Sequence, residues 1–336
     1  MKKMLLFIVF VMFFSLFISC GKNSEKSDFP NLISESSSYK ATGVMESFYP
    51  SGRKQNNFEV LYKSKENIKV TLVGSVEENK EDKQIILKNT DGVFVLIPSI
   101  NKNFRIKSEW PVGTSYPYLL YSLVCDIKND ENVIVSEKDD YITYETKTKM
   151  YKNEKEYKEK IIVDKNKKLP EEVLIYDEED NLFIRVVFSS VELNKQIDNK
   201  EFILDDAMKT LKEEYGDDFV FENRSLKYPT VYPSGMKLTK ENTVTSDDGK
   251  EVISIMKYAG EELSFTLIEE YVNMKENPVY QQETGEIITV LGNIAIVKDN
   301  GIITIYKGIE YTIASNNMAI NDMIDVIGCF MYDDEK

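Results

Sequence analysis

Between residues 39 and 194 the chain is an almost unbroken succession of strand-like runs. Runs rich in Val, Ile, Tyr and Phe recur between polar turn clusters, a spacing that predicts about eleven strands. They fall at 40–48, 57–63, 68–73, 84–88, 93–97, 103–108, 133–138, 141–149, 159–164, 173–176 and 182–194. A sheet of that length must curl, close or have its faces covered. Within it, residues 83–127 break the rhythm. Asn89-Thr90-Asp91-Gly92 joins two strands, because Asp-Gly supplies the positive φ that a tight hairpin needs. The second strand, 93–97, is wholly apolar, so both of its faces are expected to be covered. Pro98 ends it, having no N–H for the ladder. Trp110, the only tryptophan, precedes Pro111, and residues 116–127 follow as an apolar helical run, a candidate cover for the sheet.

Composition narrows the chemistry. Asp and Glu outnumber Lys and Arg by 15 in 336 residues. Such a chain repels the phosphates of nucleic acid, so no nucleic-acid partner is expected. Histidine is absent. That removes the usual general base near neutral pH, the Ser-His and Cys-His nucleophile pairs and most zinc sites. Glycine-rich phosphate loops and nucleophile elbows are also missing. Ser-x-x-Lys occurs at Ser37, Ser51 and Ser234, without the partner motifs of the enzymes that use it, and is read as coincidence. No cofactor, metal site or catalytic residue is expected, and the chain is read as non-enzymatic.

The N-terminus opens with Lys2 and Lys3 and an apolar run over residues 4–18, too short to span a bilayer, which reads as a secretory signal peptide. Leu16-Phe17-Ile18-Ser19-Cys20-Gly21 resembles a bacterial lipobox, departing from it at Phe17. The resemblance implies that residues 1–19 are removed and that Cys20 is diacylated, with palmitate-type chains holding the protein at the outer face of the cell membrane. Residues 20–38 then form the lipidated end and a polar tether, with room for at most a short helix over 29–38.

Beyond the long meander, residues 205–215 predict a helix with Asp205 or Asp206 as its cap. Residues 216–233, with Tyr228-Pro229 and Tyr232-Pro233, read as a linker. Residues 234–336 predict a small antiparallel α+β unit: strands at 252–258, 264–271, 286–291, 293–298, 302–306 and 309–314, then a helix over 318–330. The overall class is mainly β with an α+β tail.

Five local patterns carry a resemblance to a known family. They are Tyr39-Lys40-Ala41-Thr42-Gly43; Phe58 to Tyr62 before Ile68-Lys69-Val70; residues 89–98; Asn101-Lys102-Asn103-Phe104 before Trp110-Pro111; and Tyr118-Leu119-Leu120 leading to Leu123 and Asp126-Ile127. In order and spacing these resemble the LolA-type carriers that sort outer-membrane lipoproteins, in the membrane-anchored version of Gram-positive spore formers, to which GerS-type germination lipoproteins are related. Residues 231–271, with Phe265-Thr266-Leu267-Ile268-Glu269-Glu270, resemble the downstream domain of those proteins. The resemblance implies a curved antiparallel half-barrel over 39–215, closed by helices around an apolar concave face.

Two readings of that face stand open. Phe94, Leu96, Trp110, Tyr118, Leu119 and Leu123 line a cavity for a lipid or lipoprotein acyl chain, or they form an ordinary core. In the second case the protein is a scaffold that holds an envelope partner, such as a cell-wall hydrolase, in a sporulating or germinating cell. Arg53, Arg105, Glu171-Glu172 and the turn Asp177-Glu178-Glu179-Asp180 read as solvated surface. Cys125 and Cys329 sit in apolar helical contexts, where a buried free thiol is the expected state.

Overall fold

The computed structural model describes residues 28–50, 52–74, 83–112, 114–150, 156–215, 221, 224–247, 249–273 and 279–331. Cys20 and the expected signal peptide lie outside the described residues. Helix α1 (Phe29–Glu35) is capped by Asp28. It leads into β1 (Tyr39–Tyr49), β2 (Gly52–Ser64), β3 (Asn67–Gly74), β4 (Gln84–Asn89), β5 (Gly92–Ile97) and β6 (Lys102–Lys107). Helix α2 (Leu120–Asn129) is followed by β7 (Ile134–Lys138), β8 (Tyr141–Thr148), β9 (Tyr157–Asp164), β10 (Pro170–Tyr176) and β11 (Leu182–Leu193). After α3 (Leu204–Tyr215) come β12 (Lys237–Thr245), β13 (Val252–Ala259), β14 (Ser264–Tyr271) and β15 (Val279–Thr284). The chain continues through β16 (Glu286–Val290), β17 (Asn293–Lys298), β18 (Gly301–Tyr306) and β19 (Ile309–Ala314) to α4 (Ile320–Met331).

Strands β1 to β11 are the expected meander. They hydrogen-bond in the order β6-β5-β4-β3-β2-β1-β11-β10-β9-β8-β7, with β1 in the middle and every one of these pairs antiparallel. The twelfth strand is β15, which pairs parallel with β6 from Val279↔Lys102 to Thr284↔Lys107. The remaining strands form a second sheet of seven, ordered β12-β13-β14-β19-β18-β17-β16. The chain is thus mostly β, with few helices and one of them at its C-terminal end.

Every second residue of β1 is buried, the period expected of a strand with one face on a core. At Gly43 the register with β11 slips, and a Cβ there would overlap the Val187 carbonyl and the Phe58 ring. Only glycine lets these strands approach so closely. Strand β5 is buried on both faces as its composition required. Its inward residues Val93, Val95 and Ile97 join the main core, while Phe94 and Leu96 lie in a separate cluster with Leu61, Ile85, Leu87, Phe202, Ala207 and Met208. That second cluster is closed by α3 and the 3-10 turn before it, where Asn89 Nδ2 donates to the Phe202 carbonyl at 3.0 Å.

Two departures have local causes. Helix α2 begins at Leu120 instead of 116, because Pro117 disfavours helical backbone at Tyr116. The Trp110–Pro111 peptide just before it is cis. Strands β12 and β15 were hidden by composition. β12 is an exposed edge of polar residues, and the Val-Tyr-Gln-Gln-Glu-Thr of β15 carries no apolar alternation to announce a strand.

Candidate functional site

The inner face of the first sheet is where a ligand cavity is expected. Four of the six candidate lining residues meet there. Trp110, Tyr118, Leu119 and Leu123 are each no more than 1% exposed and belong to one cluster. The Tyr118 ring lies 6.0 Å from Phe58 of β2, which stands edge-on to Phe188 of β11 at 5.6 Å. Trp110 meets Tyr116 edge-on at 5.5 Å, and Tyr116 lies 6.1 Å from Tyr118. Phe29 and Ile33 of α1 join the same cluster, with Phe29 at 6.2 Å from Tyr144 of β8. Burial raises the hydroxyls of Tyr39, Tyr116 and Tyr118 far above the usual tyrosine range. The other two candidates, Phe94 and Leu96, are buried on the opposite face. The structure does not bring the six together, because alternate residues of one strand point to opposite sides of a sheet.

The second sheet seals the flank of this core. Tyr116 Oη donates to the Ile287 carbonyl at 2.7 Å, and Tyr49 Oη to the Thr289 carbonyl at 3.4 Å. Gln84 reaches across from β4: its Nε2 donates to the Ile305 carbonyl at 2.7 Å and its Oε1 accepts from Ile294 N–H at 2.6 Å. Lys102 of β6 pairs with Glu310 of β19 at 2.5 Å. Residues of both sheets and of α4 therefore share one continuous core.

Polar chemistry is concentrated at the β8–β9 end. A cleft of about 480 Å³ lies between α2 and β8, lined by Ser122, Cys125, Asp126, Asp130, Lys147 and Thr148 among others. Thr148 Oγ1 donates to Asp126 Oδ2 at 3.0 Å, and Thr146 Oγ1 to Asp130 Oδ2 at 2.9 Å. Burial pushes the Asp126 carboxyl up to about 6. Glu159 of β9, fully buried beside it, is pushed well above the usual carboxylate range, first by burial and then by the Asp126 charge. Neither Glu159 oxygen has a hydrogen-bond partner among the described residues, and burial and the neighbouring Asp126 charge both favour its protonated form. Sequence reasoning passed over this pair, yet a signal existed. Glu159 occupies the inward register between Tyr157 and Ile161 in a strand that otherwise alternates cleanly.

The remaining candidates are structural. Arg53 is exposed and lies 3.9 Å from Glu46, and Arg105 donates to the Asp91 carbonyl. Glu172 pairs with Arg185 at 2.6 Å. Cys125 and Cys329 are free, half-buried thiols. Among the described residues no group of Cys, Asp and Glu could hold a metal ion, and no helix is long and apolar enough to cross a membrane.

Comparison with known proteins places this architecture. The family model of YdcC-like sporulation proteins matches residues 1–202. The chain is 31% identical over 315 residues to sporulation protein YdcC of Bacillus subtilis strain 168, covering 92% of this chain and 90% of that one. The chain belongs to the YdcC-like sporulation protein family. Solved structures similar to this family member are distant. One is the Pseudomonas aeruginosa MucA/MucB complex, at TM-score 0.30 and 11% identity, covering 86% of this chain and 91% of that one. A LolA-superfamily protein from Nitrosomonas europaea matches at TM-score 0.29 and 14% identity, over 51% and 92% of the two chains. A chain of the complex between the Clostridioides difficile CwlD amidase and the GerS lipoprotein matches at TM-score 0.25 and 18% identity, over 49% and 88%. At these scores the likenesses bear on neither mechanism nor partner.

Proposed function

We propose that this YdcC-like protein is a non-enzymatic scaffold that holds a protein partner in the envelope of a sporulating cell. Cys20 would be its lipid anchor, on the extracytoplasmic face of the cell membrane. The observation that carries the reading is the filled inner face. Trp110, Tyr118, Leu119 and Leu123 occupy the space that an acyl chain would need, and Tyr116 ties them to the second sheet. An apolar ligand stays bound by burying its own surface, and side chains packed against one another leave it none to bury against. Recognition then belongs on the outer surface.

Two measurements test this. Native mass spectrometry of protein extracted from membranes should give the chain with its covalent acyl groups and nothing more; a further lipid retained in stoichiometric amount would restore the carrier reading. Affinity capture from sporulating cells should recover one stoichiometric envelope protein, and deletion should block spore formation or germination. Loss of neither, with no partner recovered, sinks the scaffold. For the anchor, Cys20→Ala should move the protein from the membrane fraction to the soluble one and abolish palmitate labelling.

A further inference from the structure

Helix α2 is held to the first sheet by two unlike halves. Its first half is apolar, with Leu120, Leu123 and Val124 buried in the main core. Its second half is fastened by polar contacts to the inward threonines of β8. Thr148 Oγ1 donates to Asp126 Oδ2 at 3.0 Å, and Thr146 Oγ1 lies 2.9 Å from Asp130 Oδ2 and 3.3 Å from the Asp126 carbonyl. The Lys147 N–H donates to the same Asp130 oxygen at 3.1 Å. Glu159 of β9 stands directly opposite Thr146 in the ladder, inside this polar cluster. It is 1% exposed, and both of its carboxyl oxygens lack a hydrogen-bond partner among the described residues. Few groups face it. Helix α2 brings the Asp126 carboxylate, with Asp130 one turn further on; β8 brings the Thr146 and Thr148 hydroxyls; β10 brings the apolar Ile175; and Tyr157 precedes it on the inward row of β9. The neighbouring cations are engaged elsewhere. Lys147 pairs with Glu156 at 2.9 Å, Lys158 with Asp180 at 2.5 Å and Lys160 with Glu145 at 2.9 Å.

We propose that Glu159 is a proton-operated latch for α2: with its proton bound the helix lies shut on the sheet, and on losing it the Asp126 half of the helix lifts and uncovers the inner face. The inference concerns α2 alone and does not depend on the scaffold reading. Two carboxylates that share a buried site resist ionising together, because each charge loses its water and repels the other. Lifting the helix returns both to solvent, where both ionise freely. The proton leaves to water through the cleft of about 480 Å³ that Asp126 lines. The electrostatics agree in direction. Burial pushes Asp126 up to about 6, and burial followed by the Asp126 charge holds Glu159 well above the usual carboxylate range. An acid of this kind favours the closed state at low pH, and that advantage is lost as pH rises toward its raised value. Each proton held in the closed state and released in the open one makes opening about tenfold easier per pH unit. Above about pH 6 Asp126 has already titrated, so Glu159 alone carries the dependence.

Amide hydrogen exchange of the intact protein, followed by NMR upward from about pH 6, tests the latch. Exchange at Leu123, Val124 and Cys125 of α2 is read relative to β1 in the same sample, which cancels the base dependence of exchange itself. In the wild type this ratio should rise about tenfold per pH unit until Glu159 has titrated, then level off. Glu159→Gln has nearly the same shape and is neutral at every pH, so its ratio should stay flat over that range. Thr148→Val removes the hydroxyl that holds Asp126, and should raise α2 exchange at every pH while leaving the slope in place. The carbon-13 shift of the Glu159 carboxyl in the wild type follows the proton directly, with no substitution that could disturb folding. Its midpoint should coincide with the point where the exchange ratio levels off. Titration of Glu159 in the ordinary carboxylate range, loss of protection in α2 and β1 together, or a slope in Glu159→Gln equal to the wild type would each overturn the proposal.

Discussion

Gln84 shows how much of this molecule depends on single polar side chains. It is 3% exposed, and its amide satisfies a carbonyl and an N–H of the second sheet at once. Gln84→Leu strips both partners and leaves them buried without a replacement, which should cost about 2–4 kcal/mol in a urea titration. Glu269 makes the opposite point. Burial pushes its carboxyl up to about 7, only partly offset by the Lys227 N–H at 3.0 Å. An acid whose folded pKa lies above its unfolded one carries no penalty at low pH, and the penalty grows as pH rises through the interval between them. Stability from this group therefore falls from about pH 4.5 to pH 7, by about 3 kcal/mol in all. Glu269→Gln should raise the melting temperature at pH 8 and leave it nearly unchanged at pH 4; an equal shift at both would refute the assignment. Gly292 is constrained by another chain segment. With Leu291 at φ 45° and Gly292 at φ 75°, the two form the turn between β16 and β17, and a Cβ on Gly292 would strike the Asn56 side chain of β2. The sequence marks Gly292 as a turn glycine, but nothing in it says that a strand more than two hundred positions earlier fills the space above.

At the scale of elements, α2 is the piece whose role was contested. Leu123, one of its own residues, is fully buried. Leu123→Ala should cost about 2–5 kcal/mol, the range for removing a packed leucine from a core that cannot collapse around the gap. Had the helix been a lid over an open cavity, the loss would fall well below that range, and thermal melts distinguish the cases. The strand pattern of β1 to β11 was legible from residue type alone, because alternation and turn chemistry are local properties. So was the double-sided burial of β5, from an unbroken apolar run. The pairing of Phe94 and Leu96 with α3, and of Trp110 with Tyr116, was not legible, since which face a strand residue takes depends on register set elsewhere. β15 was missed for a related reason. Edge strands bury little and need no apolar stripe, so their sequences look like loops. The Asp126–Glu159 pair lay between these extremes, visible as one acid at an inward position but not as a partner for a helix residue.

On the scale of the whole molecule, the two sheets behave as one body. Their cores are continuous, and Gln84, Tyr116 and Lys102 cross between them. Equilibrium unfolding in urea should therefore show a single transition, followed alike by Trp110 fluorescence in the first sheet and by hydrogen exchange in β17 and β18 of the second. Two separated transitions would mean that the sheets are independent. The parallel pairing of β15 with β6 carries a consequence in time. Residues 102–107 cannot gain that neighbour until residues 279–284 have been synthesised. Until then the emerging polypeptide has an unfinished sheet margin, open to pairing with whatever extended segment is nearby. The last sixth of the chain thus completes the first sheet. A polypeptide cut short before residue 279 is expected to be digested by added protease faster than the full chain, however well its first eleven strands have formed.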